Sequence, residues 1–186
     1  FSSLSYSYER NSTGATNTNA DGKNNTNGFE NDISLGYRGE ISKDLGYDVS
    51  LLQYVYVNVE DSDLLEFTGK LTYGDFYVGV QYLLSDGWWG TAGDAYWKAG
   101  YSTKLPQDFG LAFDYGFYSY DKSTNSKLGT STVTSNSSGF RHLNVTLSHP
   151  IAKTGANMYV QYTFAGEDRT STEYNDSMVA GITYSF

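Results

Sequence analysis

The chain has 186 residues, with 18 Tyr, 20 Gly, 2 Pro and no Cys, and a formal net charge of −9. The missing cysteine excludes a disulfide framework and any thiolate metal site, and the acidic balance leaves no basic stripe for neutralising phosphates, which argues against a nucleic-acid partner. Mean hydropathy is −0.48 and no run approaches the ~18 apolar residues of a membrane helix, but alternating strands average to a weak hydropathy signal, so a strand-built membrane protein is not excluded.

Ten segments place apolar residues at every second position, the period of a half-buried strand. The first carries Leu4, Tyr6 and Tyr8 between serines, and the second Ile33, Leu35 and Tyr37. The third runs from Leu45 to Val55, the fourth from Leu65 to Tyr73, and the fifth from Phe76 to Leu84. The sixth holds Ala95, Trp97, Ala99 and Tyr101, and the seventh alternates from Phe109 to Phe117. Leu143, Val145 and Leu147 mark the eighth, and Ala156 through Phe164 the ninth. The tenth holds Met178, Ala180, Ile182, Tyr184 and Phe186. Phe1-Ser2-Ser3 is already strand-like, so the chain reads as mature or trimmed at its start.

The connections are of two kinds. Ile41-Ser42-Lys43-Asp44, Gly74-Asp75, Leu105-Pro106-Gln107-Asp108 and residues 149–155 are short. Gly74-Asp75 has glycine first, as in a two-residue hairpin turn. Residues 10–28, 121–138 and 166–176 are longer and polar, and residues 58–62 are a brief exception. Short turns at one end and long loops at the other are the pattern of outer-membrane barrels, with turns periplasmic and loops extracellular. Tyr37, Tyr47, Tyr73, Phe76, Tyr101, Phe109, Tyr184 and Phe186 fall beside the short turns on the apolar phase, where they form one girdle. Trp88, Trp89, Trp97, Phe117, Phe140 and Phe164 form the other.

A soluble up-and-down barrel also alternates, with its apolar face inward. Rim aromatics, asymmetric connections and strands of roughly 9–11 residues favour a membrane crossing. The expected fold is all-β: one domain over residues 1–186, a transmembrane antiparallel up-and-down barrel of ten strands. The final strand, with Met178, Ala180, Ile182, Tyr184 and Phe186 in phase, has the form of a barrel-insertion signal read by the assembly machinery.

Arg38, Glu40, Asp48, Glu66, Lys70, Lys98 and Asp114 share the opposite, lumen-facing phase. Turn geometry sets Arg38 opposite Asp48 and Lys98 opposite Asp114. Such charges either form internal ion pairs in place of an apolar core, or line a narrow permeation path and set its selectivity. Arg141 shares the outward phase with Leu143 and Val145 near the long loops, and is expected to snorkel to lipopolysaccharide phosphates.

No catalytic constellation is evident. His149 precedes Pro150 in a short turn; His142 lies on the inward phase with Ser137, Ser138 and Asp121 near it in sequence. No cofactor or metal site is expected. Acidic loop residues such as Glu60, Asp61, Asp63, Glu167 and Asp168 read as solvated loops, or alternatively as binders of divalent cations in a lipopolysaccharide layer.

From about Glu30 onward the chain resembles the TorF-type porin family of Proteobacteria. The resemblance rests on Ile33-Ser34-Leu35-Gly36-Tyr37-Arg38-Gly39-Glu40, Leu45-Gly46-Tyr47-Asp48-Val49, Tyr73-Gly74-Asp75-Phe76, Ala95-Tyr96-Trp97-Lys98-Ala99-Gly100-Tyr101 and the Leu105-Pro106 turn. Family members usually begin with a further strand pair containing an Arg-Gly motif, which is not found here, and with that pair the barrel would have twelve strands. The resemblance implies a porin-like barrel in the outer membrane and carries over no catalytic residues; an even strand count leaves both termini periplasmic. The expected function is passage of ions or small polar solutes through a narrow polar lumen. The alternative is a non-conducting barrel that acts through its loops or through homo-oligomer contacts.

Overall fold

The computed structural model describes residues 2–12, 17–18, 24–25, 29–57, 62–127 and 134–184. The described chain is all-β apart from a single 3-10 turn at Pro106–Asp108. Nine strands form one antiparallel up-and-down sheet in which each pairs with the next in sequence. They are β2 (Phe29–Ser42), β3 (Leu45–Val57), β4 (Leu64–Tyr73), β5 (Phe76–Leu83), β6 (Ala95–Lys104), β7 (Gly110–Ser119), β8 (Ser138–Pro150), β9 (Ala156–Ala165) and β10 (Ser177–Tyr184). A preceding segment, β1 (Ser2–Ser12), lies antiparallel along β2, with Leu4 opposite Tyr37 and Tyr8 opposite Ile33. A two-residue pairing, Asn17–Thr18 with Asn24–Asn25, sits between β1 and β2.

The expectation of a closed ten-strand barrel is met only at its coarser level. Among the described residues no ladder joins β1 to β10, so the sheet ends on two open edges. Every consecutive connection is a hairpin or a longer antiparallel loop, because period-2 segments separated by short polar turns can pair only with their neighbours.

The short turns behave as their residues dictate. Tyr73 pairs with Phe76 across Gly74-Asp75, and Gly74 has φ +54, a left-handed conformation that costs glycine nothing. The Pro106 turn is wider than expected. Gln107 and Asp108 both take positive φ, and the ladder resumes with Lys104 opposite Gly110. Lys98 therefore faces Gly116, and Asp114 faces Gly100, so the expected Lys98–Asp114 pair does not form. A two-residue error in turn length was enough to displace it.

Side-chain exposure separates two faces. Ile33, Leu35, Tyr37, Val49, Leu51, Leu71, Tyr73, Phe76, Val78, Trp97, Tyr115, Leu147, Met158, Val160, Phe164, Met178, Ile182 and Tyr184 are all exposed, and all belong to the apolar phase. The buried apolar core is small and sits beside the long loops, where Leu64, Leu83 and Ala95 lie under residues 84–94. The apolar phase is thus turned outward over the sheet, opposite to the arrangement of a soluble barrel.

Candidate functional site: the polar concave face

The inward phase gathers the charged residues singled out by the sequence. Strand register sets Arg38 opposite Asp48, as expected, and Asp48 opposite Lys70. The same transverse row continues through Gly79 to Lys98 and on to Gly116 and His142. A carboxylate between two cations is the favourable order for directly opposed charges. Asp48, Lys70 and Lys98 line one cavity of about 370 Å³ together with Tyr77 and Gln81. The Lys70 ammonium lies 4.7 Å from the Tyr77 ring centroid, and that of Lys98 lies 5.2 Å from Tyr96. Such cation–ring contacts hold flexible lysines in place within the concave face.

Asp114 joins this group indirectly, accepting a hydrogen bond from the Tyr77 hydroxyl. The Tyr77 ring occupies the space over Gly100, where any Cβ would collide with it. Glycine at 100 therefore exists to admit a ring from the neighbouring strand. Glu66 is buried and accepts a hydrogen bond from Gln81 Nε2 at 3.0 Å. Arg38 and Glu40 lie nearer the short turns and are exposed.

Toward the long loops a second cavity, about 510 Å³, opens above the first, and Gln81 lines both. Its walls are Tyr54, Glu66, Leu83, Trp89, Tyr96, Tyr118, Tyr120 and Arg141, and its roof is Asp94 with Asp168, Arg169, Thr170 and Thr172. The Tyr96 and Tyr118 rings stack at 4.7 Å, and Tyr118 and Tyr120 at 5.3 Å. Trp89 meets Tyr54 edge-on at 5.8 Å. Trp89 is thus a wall of this cavity and does not join the outer girdle, whereas Trp88, Trp97 and Phe164 are exposed.

An ion pair holds the roof. Arg169 Nη2 donates to Asp94 Oδ2 at 2.7 Å, and both residues are buried. Asp94 also accepts from the Thr91 and Asp121 backbone N–H groups, each at 2.9 Å. Arg169 further donates to Thr134 Oγ1 and to the Trp89 carbonyl. Three loops that are remote in sequence are thereby tied at one point. The Arg169 loop is itself shaped by Asp168. Burial acts to raise that carboxyl, but hydrogen bonds from Thr170, Thr172 and Tyr174 outweigh it and hold the group below its ordinary 3.8.

Arg141 departs from its expected place. The register of β8 against β7 slips between Phe140 and His142, and Arg141 is the extra residue of that bulge. A bulge turns two successive side chains toward one face. Phe140 keeps the outward phase beside Tyr115, and Arg141 turns inward to line the larger cavity. Its guanidinium lies 4.2 Å from the Tyr174 ring centroid, and its Nη1 is buried with no hydrogen-bond partner among the described residues. Sequence alternation alone puts Arg141 on the outward, apolar side, because a bulge leaves no trace in a period-2 pattern. His142 Nε2 lies 3.1 Å from the Tyr96 hydroxyl.

Met178, Ala180, Ile182 and Tyr184 line the outward face of β10, paired in register with Tyr162, Val160, Met158 and Ala156. Phe186, Glu60 and Asp61 lie outside the described residues; Asp63 caps the Tyr56 backbone N–H at 2.7 Å. Among the described residues no group of three or more His, Asp or Glu is arranged to hold a metal ion. Sequence reasoning missed Asp94, Arg169 and the tyrosine wall. The tyrosines left a signal: Tyr54, Tyr96 and Tyr118 are bulky residues on the polar phase of their strands. Comparison with protein-family models, curated proteins and solved structures finds no match.

Proposed function

We propose that this chain is a small porin-like barrel of a bacterial outer membrane, with a narrow polar lumen for ions or small polar solutes. The observation that carries the proposal is the outward apolar belt. Large hydrophobic side chains are exposed on every strand from β2 to β10, and Met178, Ile182 and Tyr184 reach 71%, 69% and 61% exposure. Belts of this extent are covered by protein or lipid in the functional molecule. The opposite face is charged, tyrosine-rich and cavitated, which suits a lumen and not an apolar core. The rim rings Tyr37–Tyr47 and Phe76–Tyr101 lie beside the short turns, as a headgroup girdle requires.

On this reading β1 and β10 meet to close the barrel, because an open edge in hydrocarbon leaves backbone groups without partners. The long loops face the exterior and both termini the periplasm. The final strand serves recognition by the assembly machinery. Lipid and lipopolysaccharide surround the belt, and its breadth also accommodates a second copy. The likeness to TorF-type porins, first seen in the residue motifs, points the same way.

A second reading is favoured by the roof. The Asp94–Arg169 pair and the stacked tyrosines narrow the mouth, which suits a non-conducting barrel acting through its loops. Single-channel recording in planar bilayers separates the two. Reproducible conductance steps whose ion selectivity changes with Lys98→Gln or Asp48→Asn are expected of the porin; silence under all voltages supports the closed barrel.

A further inference from the structure

Two polar donors beside the larger cavity have no partner among the described residues. Among the described residues Arg141 Nη1 and Trp89 Nε1 are both buried without a hydrogen-bond partner, and both residues line the same space. Leaving a buried donor unpaired is costly, more so for a charged group. The other charges of the cavity are already matched. Arg169 is neutralised by Asp94. Asp168 is engaged by its own loop. Glu66 accepts from Gln81 and feels the attraction of Lys98. Arg141 keeps a face contact with Tyr174 but no carboxylate among the described residues.

A cation set among stacked phenol rings asks for one kind of guest: a small acid whose carboxylate meets the Arg141 guanidinium and whose flat body lies against the rings. About 510 Å³ is ample for such a molecule. The geometry points to a binding site, formed by Arg141, Trp89 and the Tyr96–Tyr118 wall, for small organic carboxylates that bear a planar or ring-shaped body. The site opens on the concave face and not on the apolar belt, so the guest arrives from water and not as a lipid headgroup. It rests on the proposed barrel only in its biological setting, as a solute-selecting vestibule above the charged row; the pocket itself does not depend on membrane insertion.

Benzoate and its neutral isostere benzamide test the site by calorimetric titration of the folded protein in detergent micelles. Saturable benzoate binding is expected, with benzamide at least about tenfold weaker, since the charge-assisted contact is lost. Arg141→Gln should weaken benzoate about tenfold or more while leaving benzamide unchanged. Equal binding of benzoate and benzamide by the unmodified protein overturns the site without reliance on any variant, as does absent benzoate binding or undiminished affinity in Arg141→Gln. Vesicle flotation of the same preparation is read separately. Flotation without benzoate binding removes the site and keeps the barrel; benzoate binding by a chain that folds in plain buffer and does not float keeps the site and removes the barrel.

Discussion

Replacing Asp94 by alanine should loosen the long-loop end of the sheet more than any other single change there. Asp94 accepts three donors: Arg169 Nη2 at 2.7 Å and the backbone N–H groups of Thr91 and Asp121 at 2.9 Å. The Asp94 and Arg169 side chains are under a tenth exposed. Removing one partner of a buried pair costs about 3–5 kcal/mol, because the remaining charge stays buried. Each backbone N–H left without an acceptor adds roughly 1 kcal/mol, partly recovered by water entering the opened loop. A loss on the order of 4–6 kcal/mol follows, a large share of the ~5–15 kcal/mol typical of a domain. Urea unfolding of the protein in micelles, followed by tryptophan emission, measures it, and Trp89 beside the pair supplies a local signal. The companion double variant Asp94→Ala/Arg169→Met removes both charges and should regain about half of the loss or more, since an apolar pair of similar volume is often nearly neutral. Asp94→Ala within about 0.5 kcal/mol of the parent, or losses in the double variant that simply add, would refute the argument.

Gly100→Ala should cost about 1–3 kcal/mol and break the Tyr77–Asp114 hydrogen bond, because the new methyl meets the Tyr77 ring; chemical denaturation reads the loss, and Gly100→Ala paired with Tyr77→Leu should restore most of it. The Asp168 carboxyl is held below its ordinary value in the folded loop, so its contribution is complete above the unfolded value near 3.8 and disappears as pH falls through the lower folded value. Protection of the amides across residues 166–176, relative to their intrinsic exchange rates, should therefore hold at pH 5 and fall below about pH 3.8, and Asp168→Asn should flatten that response. Val78→Arg, a charge placed in the exposed belt, should reduce vesicle insertion by up to about 2–4 kcal/mol, the cost of an Arg or Lys at the bilayer middle, whereas Ser102→Arg on the opposite phase should leave insertion intact.

Strand order and the division into two faces were legible because both follow from a period of two, repeated until only one meander fits. Ile33-Ser34-Leu35-Gly36-Tyr37 needs no tertiary information to be read as a strand with an apolar side. What escaped were features fixed by single residues or by distant ones. Gln107 and Asp108 adopt left-handed conformations that neither residue type announces, and so the register of Lys98 and Asp114 moved. The bulge at Arg141 turned one side chain from the outward face to the cavity. Asp94 and Arg169 lie in loops 75 residues apart, and no local pattern joins them. The tyrosines of the cavity wall were the exception, since a bulky ring on the polar phase of a strand is itself a departure that calls for a partner or a guest.

The outward apolar belt is the foundation of the functional proposal, and lipid contact along it is directly measurable. The chain contains no cysteine, so single cysteines introduced at Val78, Val160 and Met158 on one face, and at Thr146, Gln161 and Ser102 on the other, can each carry one fluorophore. In vesicles containing brominated lipid, fluorophores at the first three positions should be strongly quenched and those at the second three should respond instead to aqueous iodide. Equal quenching on both faces, or a protein that remains in the aqueous phase with Val78, Val160 and Met158 shielded from lipid and water alike, would contradict the membrane barrel.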